Sequence, residues 1–526
     1  MTAMTSLLPA AALLAAATVL PPHTPAHAEG SDAPTAAYVV LLKDAATRAP
    51  ARALASEAAK AGDRVDAVYD SALNGFAVRT TASRAAALAA DPRVASVEPD
   101  TVYRISDPPA PTGPTDPLTE RPAPAAESPA PAPAPEQPAP SAAPASTPAP
   151  VPAPGQATPV PPPSAAPATP APAPVPATAP TPAPAPSAAP AAPASPAPEP
   201  TPTPTPARPS PAPAASPTPT PTPTPAAVPP AAPAPAPVAG AGRQGRAPWG
   251  LDRIDQRGLP LDGSYAYPSS GAGVTVYVVD TGINTAHQEF GGRARTGFNA
   301  LWMEGSADCN GHGTHVAGTV GGATYGVAKG VSLVGVKVAD CHGDARLSHI
   351  LRGLDWVVKD ATRAGLPLRP AVANMSLGGS RSRSIDAAVV RTAAYGITVT
   401  VAAGNEGRDA CTGSPSHVPQ AITVAATDAS DRHPSFSNHG PCVDLSAPGV
   451  SVVSAWKGSA TALARATGTS MAAPHVAGAA ALLLAAGTAH SPEQVRAALL
   501  RDAAPDLVTA LPPDTPNLLL QVPAAP

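Results

Sequence analysis

Three separate segments of the sequence each carry one residue type that nucleophilic catalysis uses. Asp280 ends an apolar, β-branched run, His312 lies in a glycine-flanked segment, and Ser470 stands at the entrance to an apolar stretch of small residues. A serine hydroxyl is a weak nucleophile at neutral pH and needs a base with a pKa near 7, which histidine can be. The imidazole needs a buried carboxylate that fixes its tautomer, and Asp280 can supply it. Aspartate, histidine, serine is one of the chain orders in which such triads occur.

The segment around Ser470 has two interpretations. Gly468 permits a tight turn before a helix, and Pro474 falls in or near the first turn, where a missing N–H does little harm. Ser470 would then lie where unpaired N–H groups and the helix dipole favour negative charge, which suits a nucleophile beside a developing oxyanion. The alternative is an ordinary N-cap. Asn405, in a glycine-flanked loop, is the candidate second donor to the oxyanion.

Two further histidines lie close to these motifs. His312 and His315 are three residues apart and could ligate a metal ion, but no glutamate completes the pattern of a zinc peptidase. A metal ion is therefore not expected there. His315 and His475 are interpreted as hydrogen-bonded structural residues.

The elements that must position these residues follow an alternating pattern after about residue 247. Apolar runs predict buried strands and longer mixed stretches predict helices. The strands are 274–279, 331–338, 371–374, 397–403 and 421–425, and the helices include 345–361 and 384–394. This alternation indicates a largely parallel sheet with right-handed crossovers. Ligands bind at the carboxyl ends of strands in such sheets, where Asp280 and Asn405 would both lie.

Composition limits the partners and the location of the protein. The net charge is −4 and there is no long basic run, so nucleic-acid binding is not expected. Residues 1–28 are interpreted as a secretory signal peptide, because the apolar run 7–20 is too short for a membrane anchor and 26–28 read Ala-His-Ala. Residues 1–6 lack the usual lysine or arginine, and a buried helix is the weaker alternative because prolines follow at once.

The remaining two regions differ sharply in composition. Residues 36–105 predict a small α+β domain, a binding module or a folding aid, with strands at 38–42, 75–79 and 94–98 and helices at 51–61 and 83–90. Residues 107–241 are dominated by proline, alanine, threonine and serine, and they contain most of the 78 prolines. This stretch cannot pack a core and predicts a disordered, extended spacer. A cell-wall-spanning stalk and an O-glycosylated segment are the alternatives.

The motifs together resemble one known family. Segments 278–283, 311–315 and 468–474 resemble the three signatures of subtilases, and 402–405 resembles their oxyanion loop. The resemblance covers about residues 249–520 and is strongest to the aqualysin-type enzymes of the proteinase K branch. It implies an α/β, three-layer subtilisin-like fold for a catalytic domain at 247–526. It also implies that 36–105 are a ferredoxin-like, inhibitor I9-type propeptide, although the long proline-rich junction departs from the family's usual short one.

The resemblance implies a secreted serine endopeptidase that works through an acyl-enzyme and is made as an autoprocessed preproenzyme. Asp280, His312 and Ser470 would be the triad, with Asn405 in the oxyanion hole. The partners would be peptide and protein substrates and the chain's own propeptide as an intramolecular inhibitor. The extracellular enzyme would be a monomer that no longer contacts a membrane after signal removal. The rival hypothesis is a non-catalytic binding or wall-attached protein on the same scaffold.

Substrate contacts are also implied by the resemblance. One segment would pair with the substrate as an added strand, and together with a second loop it would wall a roomy, uncharged pocket. These residues are Ser376, Leu377, Gly378, Ala403 and Gly404. Hydrophobic or aromatic side chains are expected in the pocket. An ordinary glycine-rich turn is the alternative.

Disulfides and calcium complete what the resemblance implies. Four cysteines allow three pairings, and a free thiol nucleophile is conceivable from the residues alone. The resemblance implies the pairs Cys309–Cys341 and Cys411–Cys442. It also implies a structural Ca²⁺ bound by the backbone carbonyls of Pro419 and Ala421 and the carboxylate of Asp444. A solvated loop carboxylate is the alternative for Asp444.

Processing of the precursor is expected at two places. By the resemblance, the first cut falls near residues 103–106, after the last propeptide strand. A second cut is expected just before Ala247, because the preceding segment 242–246 lacks proline, is basic and is expected to be flexible.

Overall fold

The computed structural model describes residues 34–43, 49–105, 240–363 and 369–522. The predicted signal peptide at 1–28 and nearly all of the predicted linker at 107–241 lie outside these residues. Across the described ranges, no helix has the length and apolar character needed to cross a membrane.

The N-terminal domain is an α+β domain, as the sequence predicted, and consists of a four-stranded antiparallel sheet with two helices. Its elements are β1 Thr35–Leu42, α1 Ala49–Lys60, β2 Arg64–Tyr69, β3 Gly75–Thr81, α2 Ala82–Ala89, β4 Val94–Pro99 and β5 Val102–Arg104. The strand order in the sheet is β2-β3-β1-β4, and β5 lies apart from it. The core contains Val40, Leu54 and Phe76. The sequence did not predict β2, which is half-exposed and carries charged residues.

The larger domain begins at β6 and ends at β21. Its elements are β6 Gly242–Gly245, α3 Trp249–Ile254, β7 Ser264–Tyr267, β8 Thr275–Asp280, β9 Ala294–Asn299, α4 His312–Gly321, β10 Ser332–Lys337, β11 Asp344–Arg346, α5 Leu347–Ala361, β12 Ala371–Met375, β13 Gly379–Ser380, α6 Arg383–Ala394, β14 Ile397–Ala402, β15 Gly413–Ser414, β16 Ala421–Thr427, β17 Leu445–Pro448, β18 Val452–Ala455, β19 Leu463–Ala466, α7 Thr469–Ala485, α8 Pro492–Asp502, β20 Ala504–Pro505 and β21 Leu518–Leu519. Short 3₁₀ turns lie at Gln288–Phe290 and Ala410–Thr412.

A nine-stranded sheet with the order β20-β21-β17-β16-β14-β12-β8-β10-β9 organises this domain. Every pairing is parallel except that of β20 with β21. Alternate residues of the strands face two separate cores, since Val276 and Val278 pack on one side and Tyr277 and Val279 on the other. The sheet therefore has packed helices on both faces, which confirms the predicted three-layer α/β class.

Helix α7 is buried along nearly its whole length. Every residue from Thr469 to Leu484 is buried, which accounts for its run of alanines and leucines. It begins after Gly468, whose φ is 153°, a value that favours glycine. The helix packs on the same face of the sheet as α4.

Segment 242–246 differs from its expected flexibility. Residues 242–245 form β6, which pairs antiparallel with Ser264–Tyr267. Arg243 donates to Ser264 Oγ at 2.8 Å and forms an ion pair with Asp262. The sequence contains no apolar pattern here because the strand is held by backbone pairing at an edge and not by a core. The larger domain therefore begins before residue 247.

The structure contains both disulfides with the pairing that the resemblance implied. Cys309 is joined to Cys341 and Cys411 to Cys442, and the described residues contain no free cysteine. The first disulfide connects the loop before α4 to the segment that leads into β11.

Candidate active site

Asp280 and His312 form a fully buried hydrogen-bonded pair. Asp280 is the last residue of β8 and His312 the first of α4. His312 Nδ1 lies 2.8 and 2.9 Å from the two carboxylate oxygens of Asp280. Because an ionised carboxylate can only accept, Nδ1 carries the proton of the neutral ring, and Nε2 is then the basic nitrogen. This is the tautomer that a general base for a serine requires.

A second buried carboxylate, Asp308, shapes the loop that carries His312. Asp308 accepts the backbone N–H of Gly311 at 2.8 Å and that of Thr314 at 2.9 Å, and also the Thr281 hydroxyl at 2.9 Å. It thus joins the start of α4 to the residue after Asp280. The motifs did not reveal Asp308, although an aspartate just before a helix is a known capping signal.

Gly311 allows the start of α4 to lie close to Trp456, which follows β18. Its φ is 111°, and a Cβ there would lie 2.4 Å from the Trp456 ring. The same ring meets the imidazole of His315 edge-on, with 6.1 Å between centroids. A side chain larger than hydrogen at 311 would therefore displace the start of α4 or the tryptophan.

Ser470 lies in the first turn of α7, where its backbone N–H has no partner within the helix. Its Oγ donates to Ser376 O at 3.2 Å. Pro474 has no N–H for the Ser470 carbonyl, and that carbonyl instead accepts the Ser376 hydroxyl at 2.8 Å. The proline thus redirects a helix carbonyl to Ser376, which lies just after β12.

Asn405 follows β14 and is oriented by Thr469. Its Oδ1 accepts the backbone N–H of Thr469 at 2.8 Å and the Thr469 hydroxyl at 2.9 Å. The Thr469 hydroxyl in turn lies 3.1 Å from Gly404 N, which donates to it. With Oδ1 facing Thr469, the Nδ2 group is the part of the amide that can donate toward a substrate oxygen. Strands β8, β12 and β14 are neighbours, so their carboxyl ends place Asp280, Ser376 and Asn405 at one edge of the sheet.

The pocket beside Ser470 is lined by the residues that the sequence predicted for substrate contact. They are Ser376, Leu377, Gly378, Ala403 and Gly404, with Asn405 and Ser470 at one end. Glu406 and Arg408 also line the pocket, so its wall is more polar than the sequence predicted.

The end of the N-terminal domain lies along a groove that leads to this pocket. Residues Val102–Arg104 pair antiparallel with Asp344–Arg346, and Arg104 also pairs with Gly378 on the other side. The N–H of Ile105 donates to Gly343 O at 2.9 Å. The peptide is therefore an added strand between β11 and the segment at Gly378, a known mode of peptide recognition.

Tyr103 contributes the main side-chain contact of this added strand. It is buried against Gly379, where a Cβ would lie 2.5 Å from the tyrosine ring. Its hydroxyl donates to Ser380 O at 3.1 Å, and burial raises the pKa of that hydroxyl. The absence of a side chain at 379 thus makes room for an aromatic ring.

Three carboxylates bind backbone N–H groups across the contact between the two domains. Glu98 accepts the N–H of Ser384 at the start of α6, and Asp100 accepts the N–H of Ser348 at the start of α5. In the opposite direction, Asp355 Oδ1 accepts the N–H groups of residues 70, 71 and 72 at 3.1, 2.6 and 3.0 Å. Negative charge at helix N-termini is stabilising. None of these three carboxylates was singled out in the sequence.

His315 and His475 are buried and hydrogen-bonded, as the sequence predicted. His315 Nε2 lies 3.0 Å from Val452 O, and His475 Nδ1 lies 2.8 Å from Met471 O. Burial lowers the pKa of His315 to about 3 and that of His475 to about 4. Both imidazoles are therefore neutral at physiological pH.

The residues implied for calcium do not fit the ion in this arrangement. The carboxylate of Asp444 is engaged by the guanidinium of Arg496 on one oxygen and by the Thr423 N–H on the other. Among the described side chains, the one cluster with metal-like spacing is Glu304 with the disulfide-bonded Cys309 and Cys341, which are not thiolates.

Comparison with known proteins identifies two family domains. Residues 271–519 match the subtilase family, peptidase S8, and residues 29–106 match peptidase inhibitor I9. The larger domain thus corresponds to the first match and the N-terminal domain to the second.

Individual relatives agree with these matches. An extracellular serine proteinase of Thermus sp. strain Rt41A is 56% identical over 281 residues, which are 53% of this chain and 67% of the relative. Alkaline serine exoprotease A of Vibrio alginolyticus is 49% identical over 51% of this chain and 48% of the relative, so the chain spans about half of that protein. The crystal structure of a cold-adapted subtilisin-like serine proteinase matches this chain with a TM-score of 0.50 and a sequence identity of 48%. The match covers 53% of this chain and 99% of the chain in that structure.

Proposed function

The chain belongs to the subtilase family of serine proteinases, and from this membership we propose that it is a secreted endopeptidase that cleaves its own precursor. Asp280, His312 and Ser470 are its triad and Asn405 is its oxyanion donor. The observation that carries the proposal is the buried hydrogen bond of His312 Nδ1 to Asp280, 2.8 Å long. A buried carboxylate that holds an imidazole in this tautomer is what a serine nucleophile needs.

The reaction is acyl transfer to water. Ser470 Oγ attacks the scissile carbonyl carbon while His312 Nε2 accepts the hydroxyl proton. The negative oxygen of the tetrahedral intermediate accepts hydrogen bonds from the Ser470 backbone N–H and Asn405 Nδ2. His312 then donates its proton to the leaving amine, which leaves an acyl-enzyme. A water molecule, deprotonated by the same histidine, then attacks the acyl carbon; the bond to Ser470 Oγ breaks, His312 returns the proton to Oγ, and the acid product leaves.

The N-terminal domain acts as an intramolecular inhibitor before and after the first cleavage. Support comes from the pairing of Val102–Arg104 within the groove and from the contact of Tyr103 with Gly379. A peptide in this position excludes other substrates. The substrates are peptides and proteins that can add a strand at Gly378, with hydrophobic or aromatic side chains in the uncharged part of the pocket.

The replacement Ser470→Ala tests the proposal directly. We expect the full-length variant to remain uncleaved in a protease-free host and to lose labelling by a serine-reactive organophosphonate, because the same hydroxyl does both. The exposed Ser430→Ala is the matched control and should mature normally. Normal maturation of purified Ser470→Ala would refute the triad. An unlabelled, unprocessed parent chain would favour the non-catalytic binding protein instead.

A further inference from the structure

Asp444 has a cationic partner supplied by the chain itself. The Asp444 side chain is 7% exposed, and its Oδ1 accepts hydrogen bonds from Nε of Arg496 at 2.8 Å and from a terminal nitrogen of the same guanidinium. Its Oδ2 accepts the backbone N–H of Thr423 at 2.7 Å. Both carboxylate oxygens are therefore engaged within the protein.

The position of this pair is the one that the family resemblance implied for calcium. Asp444 directly precedes β17 and binds the start of β16, next to the turn in which Ala421 N donates to Val418 O at 3.0 Å. Pro419 lies exposed in that turn. The turn offers carbonyl oxygens, which calcium prefers.

A calcium ion and Arg496 compete for the same oxygen. Calcium takes six to eight oxygen ligands at 2.3–2.6 Å, and the one carboxylate of this group is Asp444. The guanidinium is always charged and would repel a divalent ion on the same carboxylate. Because the Asp444 side chain is only 7% exposed, a cation beside it offsets the cost of burying its charge.

We infer that Arg496 takes the place of a calcium ion at Asp444. The fold around β16 and β17 then needs no metal at this point. Removal of the guanidinium should uncover a latent calcium site, formed by the Asp444 carboxylate and the carbonyls of Pro419 and Ala421.

The test compares the calcium response of melting temperature among variants of the full-length chain. All carry Ser470→Ala, which prevents autolysis. Arg496→Ala is compared with Arg501→Ala, a control on the same helix whose guanidinium pairs with the more exposed Asp502. Arg496→Gln, which keeps much of the side-chain length, is used if the alanine variant does not fold. Each is melted with a chelator and with millimolar calcium chloride, and bound calcium is counted by equilibrium dialysis.

We expect Arg496→Ala to melt several degrees lower than Arg501→Ala in chelator and to recover most of that loss in calcium. The Arg496→Ala variant should bind one more calcium ion than the control. The double variant Arg496→Ala/Asp444→Asn should show neither the extra ion nor the recovery of melting temperature in calcium. An equal calcium response of the Arg496 and Arg501 variants would overturn the inference. The chain that keeps Arg496 should show no calcium response that depends on Asp444. If calcium raised its melting temperature and Asp444→Asn removed that rise, the inference would also be overturned, because the ion would then bind beside the guanidinium.

Discussion

The orientation of Asn405 depends on a residue next to the candidate nucleophile. Thr469 fixes Oδ1 of the Asn405 amide through two hydrogen bonds of 2.8 and 2.9 Å. Thr469 is also the first residue of α7, so the same end of that helix fixes the position of the Asn405 amide and of the Ser470 N–H. The two proposed oxyanion donors, Asn405 Nδ2 and the Ser470 N–H, are therefore held in a fixed position relative to each other, as stabilisation of an oxyanion requires.

Replacing Asn405 by alanine should lower kcat by about 10²–10³-fold, the usual cost of one lost oxyanion donor. KM for a small peptide should change little, because the amide acts mainly on charge that develops in the transition state. Steady-state kinetics of the mature, active-site-titrated enzyme measure this. An unchanged kcat would remove Asn405 from the oxyanion hole.

The buried histidines predict how stability depends on pH. His475 has a pKa of about 4 in the folded protein and, as an ordinary histidine, about 6.5 when unfolded. Between these values the unfolded chain binds a proton that the folded chain does not. The free energy of unfolding therefore falls as the pH is lowered through this window, by about 1.4 kcal/mol per pH unit for one such group.

Removing His475 should flatten this pH dependence. We expect His475→Asn, in the Ser470→Ala chain, to lose less stability between pH 6.5 and pH 4.5 than its parent, by roughly 2 kcal/mol. His342→Asn is the control, since the His342 side chain is 87% exposed. Denaturant melts at a series of pH values give the slopes. Equal slopes for the two variants would show that His475 titrates normally in the folded state.

At the scale of elements, three carboxylates and a shared apolar cluster hold the two domains together. Glu98 and Asp100, at and just after the end of β4, cap α6 and α5, while Asp355 within α5 binds three consecutive N–H groups of the N-terminal domain. These charge-assisted contacts hold the sheet of the inhibitor against two neighbouring helices. They guide Tyr103 and Arg104 into the groove by fixing the chain that precedes them.

Asp355→Asn should weaken inhibition without altering the catalytic residues. The substitution keeps the shape but removes the charge that three N–H groups share, which should cost about 1–2 kcal/mol, or roughly 5–30-fold in affinity. We expect a shorter lag between the first cleavage of the full-length chain and the appearance of peptidase activity. Asp360→Asn, on the same helix but paired with Arg295, is the control. Equal lags would mean that Asp355 does not contribute to inhibition.

The sequence predicted the strands and helices whose residue pattern reflects burial, and it missed those that form because their backbone pairs with another strand. Strands β8, β12 and β14 are buried on both faces and read as apolar runs, so their ends located Asp280 and Asn405 correctly. Strand β6 has almost no apolar residues and exists because Ser264–Tyr267 pairs with it. Thr469 and Asp355 act through contacts between residues far apart in the chain, which no local motif encodes.

At the scale of the whole molecule, the chain is held at both ends of the proline-rich stretch. Ile105 donates to Gly343 O in the groove, and β6 begins at Gly242. Under the proposed autoprocessing, the first cleavage is expected after Ile105, because the residues up to Ile105 are paired in the groove. A second cleavage would require its segment to leave its pairing in the fold and to bind in the same groove as an extended strand.

These constraints predict the N-termini of the mature enzyme. The first product should begin just after Ser106, because Tyr103, Arg104 and Ile105 already occupy successive positions along the groove. Trimming just before Ala247 should be rare, contrary to what the sequence alone suggests, because residues 242–245 are paired with β7 and Gln244 also donates to Thr324 O at 3.0 Å. Any shorter form should begin before Gly242, and all forms should have equal activity on small peptides, since β6 does not line the pocket. N-terminal sequencing and intact mass of the secreted enzyme measure this. A dominant species that begins between Arg243 and Trp249 would contradict it and would show that β6 opens in the precursor.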